Sequence, residues 1–153
     1  MDNKRIDIIV PCYNEEQNIE ALYEAVQAVE TQIAQSGEYR DSYDFSYIFI
    51  DDGSTDGTLN QIKRIADRGA EELTAVKYIS FSRNFGKEAA IFAGLKASAK
   101  GTKGGRPANL AVLMDADLQH PPQLICEMLK KMEETDCDSV AVCLFHFLQH
   151  IAD

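Results

Sequence analysis

The 153-residue sequence contains no C-x-x-C pair, no long basic patch, no repeat at solenoid spacing and no apolar run that could span a membrane. Each absence excludes a class of function. Cys12, Cys126, Cys137 and Cys143 stand apart, in or beside apolar segments, and read as reduced, mostly buried thiols, which favours the cytoplasm. Cations are scarce: 15 Lys and Arg face 25 Asp and Glu, for a net charge of -10. Such a balance repels nucleic-acid phosphates and anionic membranes, so no nucleic-acid partner is expected. The longest apolar stretch near the C-terminus, Val140 to Leu148, is interrupted by His146 and far too short for a span. Met1 to Arg5 leads into only a short apolar segment, Ile6 to Val10, so no signal peptide is expected and the chain reads as soluble.

What is present is enough for one domain, since 45% of the residues are hydrophobic. The β-branched run Ile6 to Val10 predicts a strand that Pro11 stops. Ile19, Leu22, Val26, Val29 and Ile33 recur at helical spacing to about Gln35, with Asn14 as the expected N-cap. Phe45 to Ile50 predicts a second strand, and a helix follows from about Leu59 to Arg68. Ala75 to Phe81 is a third strand, followed by a helix over Glu88 to Ala99 whose small residues permit close approach to a sheet. Asn109 to Met114 is a fourth strand. Pro121 and Pro122 are expected to start a helix with Leu124, Ile125, Met128, Leu129 and Met132 on its inner face. Asp138 to Val142 offers a fifth strand. The alternation predicts an α/β fold, a mostly parallel central sheet with helices on both faces.

Ligands of such sheets bind where the strands end, and the strand ends here carry chemistry. After the first lies Tyr13, whose ring either packs at the strand end or stacks on a nucleobase. The second ends on Asp51 and Asp52, followed by Gly53 to Thr58. Asp56 or Ser54 can cap the next helix, but two adjacent acids repel and need an offsetting cation or the donor N–H groups of a base or the hydroxyls of a ribose. Arg83 and Lys87 follow the third strand and either neutralise a diphosphate or pair with the aspartates. The fourth delivers Asp115, Asp117 and Gln119. These oxygens either belong to a helix cap or suit a hard cation such as Mg²⁺ or Mn²⁺ gripping a diphosphate. The loop from Lys100 to Pro107 lacks the order of a phosphate-cradling P-loop and reads as a surface connection.

Four motifs taken together resemble the family 2 glycosyltransferases: Pro11-Cys12-Tyr13-Asn14-Glu15-Glu16, Asp51-Asp52-Gly53-Ser54-Thr55-Asp56-Gly57-Thr58, Ser82-Arg83-Asn84-Phe85-Gly86-Lys87 and Asp115-Ala116-Asp117-Leu118-Gln119-His120-Pro121. Within that family the chain is most similar to dolichyl- and undecaprenyl-phosphate sugar transferases. The resemblance implies a GT-A fold over residues 1–143 and a UDP- or GDP-linked sugar donor. Pro11, Tyr13 and Glu15 would surround the base and ribose, with Asp51 and Asp52 at the nucleoside. Arg83 and Lys87 would face the diphosphate, and Asp115, Asp117 and Gln119 would hold or approach Mg²⁺ or Mn²⁺. The implied chemistry is attack by an acceptor oxygen, plausibly of a polyprenyl phosphate, on the anomeric carbon with inversion.

Residues 144–153 do not match the continuation of such enzymes, so the acceptor-binding half and membrane helices are expected to be missing. That tail either packs its apolar residues or mediates self-association. His146 and His150 have no evident third partner for a metal. A phospho-receiver module would need its acidic pair after the first strand, and a haloacid-dehalogenase-type phosphatase an aspartate at position 54, which is Ser54. The remaining alternative is a donor-binding module that transfers nothing.

Overall fold

The computed structural model describes residues 3–39, 42–72, 74–101 and 106–140. Strands and helices alternate as β1 (Lys4–Cys12), α1 (Ile19–Ser36), β2 (Tyr43–Asp51), α2 (Thr58–Glu71), β3 (Ala75–Ser80), α3 (Lys87–Lys100), β4 (Leu110–Leu113) and α4 (Leu124–Thr135). The strands form one parallel sheet in the order β3-β2-β1-β4. The α/β expectation therefore holds, and the four expected strands and four helices are all present.

The period of two along each strand divides the sheet into two faces. Ile6, Ile8 and Val10 of β1, with Phe45, Tyr47 and Phe49 of β2, pack under α1, α2 and α4 in the larger core cluster. Ile9, with Ile48 and Ile50, faces the other way and meets Ala90 and Ala97 of α3. All five positions expected to line α1 are buried. On α4, Leu124, Ile125 and Leu129 are buried and Met128 and Met132 only partly so. Each fully buried aliphatic side chain contributes about 1.5–3 kcal/mol, so two-sided burial of β1 and β2 outweighs any local preference.

The small residues of α3 have the purpose foreseen for them. A Cβ placed on Gly94 would lie 2.4 Å from Ile9 Cγ2 and 2.8 Å from Ile50 Cδ1, so only glycine lets the helix axis lie this close to the sheet.

Three boundaries differ from the sequence expectation. Pro11 does not stop β1, which runs through it to Cys12. Pairing of β1 with β4 ends at Ile9 and Leu113, so at Pro11 only the β2 side is occupied and the missing N–H costs no ladder bond on the open side. Pro121 and Pro122 do not open α4 but form a tight turn ahead of it: their carbonyls accept the amides of Leu124 and Ile125, both at 3.0 Å. Residues 138–140 are not in a strand, and the rest of the fifth strand expected over 138–142 lies outside the described residues. So do Cys143, His146, His150 and the expected tail.

The chain builds outward from β1 through β2 to β3, then crosses back over the sheet by way of α3 to place β4 on the far side of β1. The strand order reverses between β1 and β4, and a crevice opens at their carboxyl ends.

Candidate functional site

A cavity of about 330 Å³ occupies that crevice. Pro11, Tyr13, Glu15, Asp52, Lys87, Asp115 and Asp117 all line it, which brings together seven of the ten residues singled out from the sequence. Asp51, Arg83 and Gln119 are not among the lining residues. A second, more apolar cavity of about 410 Å³ runs along β4 and shares Pro11, Lys87 and Asp115 with the first.

The adjacent acids at the end of β2 point to different partners, as alternation requires. Asp51, 2% exposed, accepts the Ser54 amide at 3.1 Å and the Ser80 hydroxyl at 2.9 Å. It ties β2 to its own turn and to β3. Asp52, 3% exposed, accepts the Phe85 amide at 2.7 Å and the Gly86 amide at 2.9 Å. The offset expected from a cation or from a ligand's base or ribose is instead supplied by donors of the chain itself. A carboxylate between two backbone N–H groups holds the loop leading into α3, and Gly86 at φ 101° carries the backbone through a region closed to other residues. Gly53 makes the same junction possible from the other side, since a Cβ there would lie 2.3 Å from the Arg83 carbonyl carbon.

Beyond that turn, Lys87 directs its ammonium to Asp115, with Nζ 2.6 Å from Oδ1. Of the two readings of the cations, pairing with an aspartate is the one seen for Lys87. Arg83 is exposed and its guanidinium lies over the Phe85 ring, 4.6 Å from the centroid.

At the end of β4 the alternation buries Met114 and Ala116 and turns Asp115 and Asp117 to the crevice. Leu118 then adopts φ 58°, a left-handed conformation costing a leucine about 1–2 kcal/mol. Packing of its side chain against the main core compensates. The Gln119 amide donates to Asp117 Oδ1 at 3.1 Å, while Gln119 itself is exposed.

The loop after β1 is stitched to the loop after β2. Asn14 is not the cap of α1, which begins at Ile19 after Asn18. Instead Asn14 takes φ 53°, donates its amide to Ser54 Oγ at 3.0 Å and accepts the Thr55 amide on Oδ1 at 2.9 Å. Glu16 accepts the Gly57 amide at 3.0 Å, and the Glu15 amide donates to Thr58 Oγ1 at 2.8 Å. Neither expected cap of α2 is its N-cap, which is Gly57, though Asp56 just before it accepts the Thr58 amide at 2.9 Å. These bonds leave the Tyr13 ring 47% exposed at the cavity wall.

Sequence reading passed over Cys12, Asn84, Gly86, Ala90 and Ala116, which also line the cavity. Asn84 and Gly86 lie in the Ser82-Arg83-Asn84-Phe85-Gly86-Lys87 motif, beside its two cations. A glycine between strand and helix was the available signal. Cys12 is buried, and burial, then the charges of Glu15 and Asp51, push its thiol far above its ordinary pKa. With Cys126 and Cys137 it is a free thiol.

Among the described residues no three His, Cys, Asp or Glu side chains gather to hold a metal ion. Two oxygen-donor carboxylates on an open rim still fit a magnesium-type ion, which is commonly held by one or two carboxylates and completed by substrate phosphates and water. Among the described residues no helix is long and apolar enough to cross a membrane.

A parallel sheet flanked by helices on both faces, with a crevice where the strand order reverses, defines an α/β domain of Rossmann-like type. The chain belongs to glycosyl transferase family 2, whose family model matches residues 7–152. It is 43% identical over 129 residues to CsbB of Bacillus subtilis, named for glycosyltransferase activity, covering 84% of this chain and 33% of that protein. It is 35% identical to the undecaprenyl-phosphate 4-deoxy-4-formamido-L-arabinose transferase of Aeromonas hydrophila, covering 84% and 34%. Identity to the dodecaprenyl-phosphate galacturonate synthase of Rhizobium johnstonii is 34%, covering 87% and 34%. In structure it is similar to the mannosyltransferase PcManGT of Pyrobaculum calidifontis, solved with GDP-Man and Mn²⁺, at a TM-score of 0.61 and 22% identity. That likeness covers 86% of this chain and 33% of the other and establishes the GT-A type of fold. The chain thus spans about a third of the length of these relatives.

Proposed function

We propose that the crevice binds the nucleoside diphosphate of a sugar donor, and that the chain serves a metal-dependent, inverting transfer of the sugar to a polyprenyl phosphate. The observation that carries this reading is the convergence of Tyr13, Asp52, Lys87, Asp115 and Asp117, from four separate loops, on one cavity at the switch point. Support for the donor comes from the GDP-Man of the structural neighbour, and for the acceptor from the printed names of the polyprenyl-phosphate relatives.

In this reading Tyr13 stacks on the base, with Pro11 and Glu15 beside it, and Asp52 positions the loop that carries Lys87. Asp51 acts at the nucleoside end by fixing the turn after β2. Lys87 and Arg83 face the diphosphate. Asp115 and Asp117, with Gln119 beside them, hold Mg²⁺ or Mn²⁺, which when bound stabilises negative charge on the departing diphosphate. A phosphate acceptor has a second pKa of about 6 and is largely dianionic at neutral pH, so its oxygen attacks the anomeric carbon without a general base.

Titration calorimetry with UDP, GDP and their sugars, with and without Mn²⁺, tests the proposal. Metal-dependent binding of one nucleotide series is expected, and no response to either series would overturn it. Because the chain spans a third of its relatives, a second reading is a donor-binding module without turnover. Product formed from a polyprenyl phosphate by this chain alone would exclude that reading.

A further inference from the structure

Lys87 stands at an unusual place for a lysine. It is the first residue of α3, where the helix dipole favours anions and disfavours an ammonium. The gain that offsets this lies across the crevice, in the 2.6 Å contact with Asp115 Oδ1. The contact is set up from behind, because Asp52 holds the Phe85 and Gly86 amides and so aims the residue that follows them. Lys87 and Asp115 are 57% and 39% exposed. An ion pair this open is weak and exchanges readily. One of the two carboxylates at the end of β4 therefore already has a resident cation, and it is the cation best placed to meet a diphosphate.

We propose that Lys87 is a handover group: it holds Asp115 while the crevice is empty and moves to the donor diphosphate when a divalent cation takes the carboxylate. The inference rests on the donor-site reading above and adds to it a coupling between the two ligands. A divalent cation binding alone must displace the ammonium and leave it beside a second positive charge. A diphosphate binding alone finds the ammonium already engaged. Bound together, each removes the cost the other meets, so metal and nucleotide favour one another beyond their direct contact, and by the same factor in both directions.

The test is a calorimetric cycle on the full chain, with Mn²⁺ alone, UDP or GDP alone, and each in the presence of the other, for the wild type, Lys87→Met and Lys87→Gln. Circular dichroism confirms that the variants fold, which the exposure of Lys87 favours. Removing the ammonium should tighten Mn²⁺ binding in the absence of nucleotide by about two- to fivefold, the range of an exposed ion pair. The factor by which nucleotide tightens Mn²⁺ should shrink to match. If Lys87 were only a nearby repelling charge, both variants would bind Mn²⁺ more tightly by one factor with and without nucleotide, and the unchanged coupling would overturn the handover. Wild-type binding of metal and nucleotide that both variants reproduce would overturn the handover alone. A wild type that binds neither nucleotide would remove the donor site and the handover together.

Discussion

The Asp52 carboxylate sits 2.7 Å from the Phe85 amide and 2.9 Å from the Gly86 amide, bridging the end of β2 to the start of α3. Through that bridge the acid after β2 decides where Lys87, the first residue of α3, can reach across the crevice.

Asp52→Asn retains the shape but replaces one acceptor by an NH₂ group that confronts a backbone donor. A buried amide left without its acceptor costs about 1–3 kcal/mol. Urea unfolding should show a loss of that size, accompanied by weaker nucleotide binding. An unchanged midpoint would mean that the loop holds itself.

Gly94→Ala places a methyl group 2.4 Å from Ile9 Cγ2. Overpacking of this kind costs about 1–3 kcal/mol, so the variant should unfold at lower denaturant. Gly53→Ala meets backbone, the Arg83 carbonyl carbon at 2.3 Å, and also takes φ 68°. With no flexible side chain to yield, it should be the more destabilised of the two in the same measurement.

Acid should act on the loop after β2 through Asp56. Burial pushes its pKa up, but the Thr58 hydroxyl, the Thr58 amide and the Glu16 amide together hold it below the ordinary carboxylate value. A carboxyl depressed in the folded state stabilises the fold above its unfolded pKa, about 3.9 for aspartate, and loses that contribution as pH falls through the folded value. The stability gap between wild type and Asp56→Asn should therefore be flat above about pH 5 and close in more acid solution, as followed by unfolding at a series of pH values. A gap that widens on acidification would contradict the assignment.

Tyr13→Ala should leave the fold nearly intact, because the ring is 47% exposed. Base stacking on an aromatic side chain is worth about 1–3 kcal/mol, so the calorimetric affinity for a nucleotide should fall by roughly that amount. Unchanged affinity would place the base elsewhere.

Asp117→Ala removes an exposed carboxylate that accepts the Gln119 amide at 3.1 Å. Stability should change little, while the dependence of nucleotide binding on Mn²⁺ should disappear. Retention of that dependence would move the metal away from the end of β4.

The repeating unit of this fold was legible along the chain because it rests on short-range periodicities. The apolar alternation in Ile6 to Val10 and Phe45 to Ile50, and the helical spacing from Ile19 to Ile33, depend only on which side chains must leave water. The same periodicity carried the strand-end acids, Tyr13 and the cations to one edge, and their types alone pointed to a nucleotide and a metal. Partner choice was not legible, since it depends on which loops the sheet order makes neighbours. Placing β2 between β3 and β1 set Asp52 against Gly86 and Asn14 against Thr55, and placing β4 on the far side of β1 let Lys87 meet Asp115. It also left Pro11 a strand residue, because β4 ends short of it. The sequence by itself determined that the strand-end loops gather at one edge of the sheet, and seven of the ten residues singled out from it line the crevice. Only the tertiary structure decided that Asp51 and Asp52 are satisfied by the chain's own donors and that Asp115 already holds a cation, because hydrogen bonds and ion pairs follow distance in space, not separation in sequence.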